Sequence, residues 1–175
     1  NAPQADTCVL FTMTDKAKAH KGITAFVVDM KWKGVSLGKH EKKMGIRASA
    51  TSSIIFEDVR VPAKNRLGNE GDGFKVAMHT LDGGRIGIAS QAIGIARAAF
   101  EDALAYSKDR KQFGQAICEF QAIQWMLSDI ATEIDAARLL TWRAAWMKDR
   151  KMRHSKESSM AKLYASEVAM RAAVK

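Results

Sequence analysis

After Pro62, apolar residues recur at steps of three and four. Ile86, Ala89, Ile93, Ala96, Phe100 and Ala103 share one stripe, and Phe120, Ile123, Leu127, Ile130, Ile134, Ala137 and Thr141 share another. That period predicts two long amphipathic helices, antiparallel and joined through residues 110–114. A third helix is expected from near Ser155, with Met160, Leu163, Tyr164 and Val168 on its apolar side. Together they predict part of an antiparallel four-helix bundle. Trp125, Met126, Trp142, Trp146 and Met147 lie on or near these helices, where core or helix contacts are their expected use.

Before Pro62 the pattern is different. Residues 7–13 and 23–29 are short apolar runs rich in β-formers, and residues 52–61 mix β-branched residues with partial alternation. Gly22, Gly34, Gly38 and Gly45 fall between or around these runs and are expected at turns. With no amphipathic helix between the strands, an antiparallel sheet or part of a β-barrel is expected. The glycine-rich stretch at residues 68–73 is the natural hinge, so the fold class is α+β: a β domain over residues 1–66 and a helical domain over residues 67–175. The sequence starts on Asn1 and stops at Lys175 inside a helical pattern, which suggests an internal piece of a longer polypeptide.

Charge narrows the partners only slightly. The 28 Lys and Arg against 19 Asp and Glu give a net +9, enough to attract any anionic ligand or surface. The densest basic cluster, residues 148–156, falls between two helical patterns and lacks interleaved aromatics, so a solvated loop is expected and nucleic acid is not. No apolar run approaches the ~20 residues needed to span a bilayer. Cys8 and Cys118 form no disulfide framework, and His20, His40, His79 and His154 show no metal-ligand spacing; no metal is expected.

Two segments carry candidate chemistry. Arg110, Gln112, Phe113 and Gln121 gather a cation, two amides and a ring around a helix break. Arginine can fork two donors onto a pyrophosphate, and the ring can meet a heterocycle. Helix capping by the same residues, with Phe113 as a core anchor, is the competing structural explanation. Upstream, Gly83 and Gly84 interrupt a helical pattern at a cost of ~1 kcal/mol each relative to alanine. With Gly87 and Gly94 they form a small-residue surface that suits either a ligand or a neighbouring helix. Asp82 and Arg85, three apart, could be a simple surface ion pair.

Both segments resemble the acyl-CoA dehydrogenase family. The likeness rests on Leu81-Asp82-Gly83-Gly84-Arg85-Ile86-Gly87-Ile88-Ala89-Ser90-Gln91, most similar to the short-chain members, and on Arg110-Lys111-Gln112-Phe113-Gly114 with Gln121. It extends to Lys43-Met44-Gly45-Ile46-Arg47-Ala48-Ser49, to residues 54–62 and to residues 136–145.

The resemblance implies a flavoprotein that oxidises short acyl-CoA thioesters and passes electrons to an electron-transfer flavoprotein. Asp82 and Arg85 would border the substrate, with Asp82 on the CoA portion. Arg110, Gln112, Phe113 and Gln121 would touch the adenosine diphosphate part of an FAD held mainly by a neighbouring subunit, so a homo-oligomer, usually a dimer of dimers, is implied. The catalytic glutamate is expected beyond Lys175, because Gly84 occupies the position where some members carry it. The 175-residue piece alone is therefore expected to be inactive. A mitochondrial matrix setting is implied for a eukaryotic source and a cytoplasmic one for a bacterium. A branched-chain dehydrogenase, an acyl-CoA oxidase and a non-catalytic assembly relative are the alternatives.

Overall fold

Along Thr7–Met13 (β1) side chains alternate, with Cys8, Leu10 and Thr12 half-buried and Val9, Phe11 and Met13 outward. The computed structural model describes all residues, Asn1–Lys175. Ile23–Asp29 (β2) pairs antiparallel with β1 along its whole length and, at Ala25 and Phe26, with the short Arg66–Leu67 (β5). Lying between two neighbours, β2 buries Thr24, Ala25 and Val28 completely. The buried Thr24 hydroxyl is satisfied: its Oγ1 lies 2.7 Å from Thr14 Oγ1 and accepts from Gly71 N at 3.0 Å.

A second antiparallel sheet pairs Val35–His40 (β3) with Ser52–Phe56 (β4). Sequence reading missed β3 because Gly38 looked like a turn residue. Gly38 lies inside the strand, and a β-carbon there would sit 2.2 Å from Ser53 Oγ, so its function is close approach of β4. β4 also ends earlier than expected, at Phe56, where the chain bends and Asp58 takes a φ of +52°. Neither sheet closes into a barrel.

The chain divides into two compact units, Asn1–Met78 and His79–Lys175, the division falling inside Gly73–Asp109 (α1). Asp72 precedes α1 and accepts from Val76 N through its backbone oxygen, while its carboxylate accepts from Asn69 N in the glycine-rich turn.

In the second unit α1 is followed by Gln121–Asp149 (α2) and Ser155–Val174 (α3). Glu133 meets Arg171 and Arg143 meets Glu157, a pairing that requires α2 and α3 to run antiparallel. The core joins Ala89, Ala92 and Ala96 of α1 to Ile130, Ile134, Ala137 and Ala144 of α2 and to Ala161, Ala165, Val168, Ala169 and Ala172 of α3. Most of these are alanine, so the helices interlock at short range and little volume separates them. Ile86, Ile93, Phe100, Leu140 and Tyr164 pack around the rim. Buried Thr141 returns its hydroxyl to Ala137 O at 2.8 Å, which satisfies its own donor.

Three expectations are corrected here. Ala103 is exposed, and α3 buries its alanines and turns Met160 and Leu163 outward. The tryptophans are not core: Trp125, Trp142 and Trp146 are 65%, 62% and 53% exposed. Arg150 lies over the Trp146 ring at 5.4 Å. The alanine-lined interface has no room for indoles, so they project from the opposite face of α2.

Candidate functional site

At the corner between α1 and α2 the chain forms a hairpin. Arg110 N still accepts the helical pattern by donating to Tyr106 O at 2.8 Å, and Arg110 O then accepts from Ile117 N at 2.9 Å. Between them Lys111–Gln112 (β6) pairs antiparallel with Gln115–Ala116 (β7). Phe113 and Gly114 make the two-residue turn with φ of +52° and +85°, the left-handed pair that suits the twist of a tight hairpin. A paired hairpin thus stands where the sequence predicts only a helix break. A two-residue ladder leaves no periodic signal, and only the glycine marked the turn.

The hairpin removes one of the two explanations for Phe113. Its residue is 93% exposed, so it is no core anchor; only an edge contact with Phe120 steadies it. Arg110, Gln112 and Gln121 are exposed as well, and none of their side chains has a hydrogen-bond or ion-pair partner within the chain. Gln121 opens α2, whose first turn has no side-chain cap. A cation, two amides, a ring and the amide end of a helix are thus displayed together on one corner. Such a set can receive a phosphate-bearing, aromatic ligand.

The glycines of α1 separate into two kinds. A β-carbon at Gly83 would lie 3.0 Å from Lys148 Nζ, so this glycine makes room for α2. At Gly84, Gly87 and Gly94 a β-carbon would meet nothing within 4 Å. With exposed Ile88, Gln91 and Ile95 they form a bare strip of helix surface, apolar except at Gln91. Neighbouring helices of this unit do not explain that strip.

Asp82 is more than one half of a surface pair. Its Oδ1 accepts from Arg85 Nη1 at 2.5 Å, and its Oδ2 accepts from Ser155 Oγ at 2.5 Å. The Asp82 side chain is 16% exposed and that of Arg85 37%. Ser155 opens α3, so the carboxylate joins two helices that are 73 residues apart in sequence. Nothing in the local sequence announced Ser155, since a lone serine in a basic loop has no characteristic spacing. The loop itself is solvated as expected at Arg150, Lys151, Met152 and Arg153, while His154 is half-buried.

No helix is long and apolar enough to cross a membrane.

Comparison with known proteins shows the family. Residues 1–59 match the model for the acyl-CoA dehydrogenase middle domain, and residues 71–175 match that for the acyl-CoA dehydrogenase C-terminal domain. The chain is 53% identical over 169 residues to the short-chain specific acyl-CoA dehydrogenase, mitochondrial, of Mus musculus, covering 97% of this chain and 41% of that protein. It is also 53% identical over 167 residues to the caffeyl-CoA reductase-Etf complex subunit CarC of Acetobacterium woodii, covering 95% and 44%. Among solved structures, butyryl-CoA dehydrogenase from Megasphaera elsdenii superposes with a TM-score of 0.95 at 50% identity, covering 97% of this chain and 44% of that one. The chain thus spans less than half the length of the relatives it matches.

Proposed function

The chain belongs to the acyl-CoA dehydrogenase family, and from that membership we propose that the polypeptide carrying it removes the α- and β-hydrogens of short, straight acyl-CoA thioesters. Electrons would pass to an electron-transfer flavoprotein. The observation that carries the reading is the α1–α2 corner, where Arg110, Gln112 and Gln121 stand exposed with no side-chain partner in their own chain and Phe113 touches only the Phe120 ring. The domain division proposed with it is residues 1–66 and 67–175.

The corner residues fit FAD. In this reading Arg110, Gln112 and Gln121 hold the anionic diphosphate and ribose region, and Phe113 lies against apolar surface nearby. When bound, the flavin supplies the hydride acceptor that no side chain can replace. Because the corner projects away from its own bundle core, the FAD it touches is proposed to belong mainly to a neighbouring subunit. That requires at least a dimer, and a dimer of dimers is the proposed assembly.

The remaining work falls to α1. The open strip at Gly84, Gly87 and Gly94 would let a thin acyl chain approach the helix backbone, and Asp82 and Arg85, on the side of α1 turned toward α3, are proposed to border the CoA portion. Gly84 provides no carboxylate, so the general base that takes the α-proton lies elsewhere in the polypeptide. The proposed setting is the mitochondrial matrix for a eukaryotic source and the cytoplasm for a bacterial one.

A second reading concerns direction. Similarity to a protein named as a caffeyl-CoA reductase subunit is as high as to one named a short-chain dehydrogenase. The test is to supply the whole polypeptide with FAD and follow turnover of butyryl-CoA, longer and branched acyl-CoAs with an electron-transfer flavoprotein, then the corresponding enoyl-CoAs with a reductant. Fastest oxidation of butyryl-CoA is expected. Turnover only of enoyl-CoAs favours the reductase, peroxide release with oxygen favours an oxidase, and no turnover of any thioester removes the enzymatic reading.

A further inference from the structure

Ser155 uses its hydroxyl in an unusual way for a helical serine. Ser90 and Ser159 return theirs to the backbone one turn back, at 3.0 and 2.7 Å. Ser155, the first residue of α3, reaches across to α1 instead and donates to Asp82 Oδ2 at 2.5 Å. Arg85 holds the other oxygen.

An aspartate carboxylate rotates over a broad, roughly two-fold torsional profile when free. Donors of fixed position on both oxygens remove that freedom, because either rotation or withdrawal breaks a charge-assisted hydrogen bond. Asp82 also sits against the first turn of α3, the end of a helix that favours negative charge. Two donors do not exhaust a carboxylate, which offers about four lone-pair sites. What remains is acceptor capacity with a set direction, on a side chain still 16% exposed. Its natural complement is a ligand N–H or O–H.

We propose that Ser155 is a positioning residue: by fixing Asp82 together with Arg85, it aims the carboxylate at the amide- and hydroxyl-bearing pantetheine arm of an acyl-CoA. This rests on the substrate class proposed above. It adds a residue from α3 to a site otherwise built on α1, and it explains why the α3 start is tied to Asp82 rather than capped by its own side chains.

The test compares wild type, Ser155→Ala, Ser155→Cys and Ser155→Thr in the whole polypeptide loaded with FAD, reading KM and kcat for butyryl-CoA beside the melting temperature. Loss of the donor in the alanine variant, and its weakening to a thiol in the cysteine variant, is expected to raise KM, about five-fold for alanine and less for cysteine, with kcat changed less than about two-fold, the signature of lost binding shared by ground and transition states. Threonine keeps the hydroxyl and should stay near wild type. A KM unchanged in the alanine variant, or a lowered melting temperature with unchanged KM, overturns the proposal and leaves Ser155 as a helix clamp. Wild-type protein that turns over no acyl-CoA overturns the substrate reading and this proposal with it; an active wild type with indifferent variants overturns this proposal alone.

Discussion

Phe113 meets Phe120 edge to face, with ring centroids 6.2 Å apart and planes at 85°, although Phe113 is 93% exposed. One contact thus ties the ring to the base of the hairpin while most of its surface stays free. Replacing Phe113 by alanine should weaken FAD binding by the assembled protein about ten-fold, the worth of one good aromatic contact. Titration of the apoprotein by flavin fluorescence measures it, with Phe113→Tyr expected to bind as wild type does. Equal affinity in all three would detach the hairpin from the cofactor.

Gly114 supplies the second left-handed residue of that turn, at a φ of +85°, with open space around it. Alanine there meets no atom, so any loss comes from the backbone alone. Gly114→Ala should destabilise the protein by ~1 kcal/mol, and asparagine, which tolerates this region, by less. Urea unfolding midpoints give the comparison; an unaffected midpoint would mean the hairpin readjusts without cost.

The bare strip on α1 predicts a conflict between stability and activity. Gly84→Ala fills open space on an exposed helix face and should stabilise the protein by ~1 kcal/mol through helix propensity. If that face receives the acyl chain, the same methyl group should raise KM or lower kcat. Thermal melts and steady-state kinetics on one preparation decide it. A more stable variant with unchanged kinetics would leave Gly84 without a role in the site.

Asp15 offers a test in the first unit. Its carboxylate pairs with Lys18 at 2.8 Å and accepts from Ala17 N at 3.1 Å, and the Lys18 hydrogen bond, first among the causes, holds its pKa below the usual aspartate value. A lowered native pKa means stabilisation that is present above the unfolded value of about 4 and fades as pH falls through the native one. The gap in melting temperature between wild type and Asp15→Asn should therefore be largest near neutrality and close in acid. A gap independent of pH would show that the charge contributes nothing.

α1 and α2 were legible because their buried faces repeat with the helical period over many turns, and Ala89, Ala96, Ile130, Ile134 and Ala137 all lie in the core; α3 was legible as a helix, but its alanine-lined face was hidden by the larger Met160 and Leu163, which point outward. β1 and β2 were legible as continuous β-rich runs. What escaped had no period to read. β3 was hidden by Gly38, whose contact with Ser53 is a fact of pairing; the strands β6 and β7 were too short; and the outward tryptophans follow from how closely an alanine interface packs, which hydrophobicity does not encode. The candidate site divided along the same line. Asp82, Arg85 and the corner residues came from contiguous motifs, whereas Ser155 became visible only when folding brought α3 to α1.

The most direct measurement is a structure of the whole polypeptide assembled with FAD. The Arg110 guanidinium of one subunit is expected on the diphosphate of a cofactor bound chiefly by another, with Phe113 beside it. A guanidinium directed into bulk solvent, remote from every flavin, would contradict it.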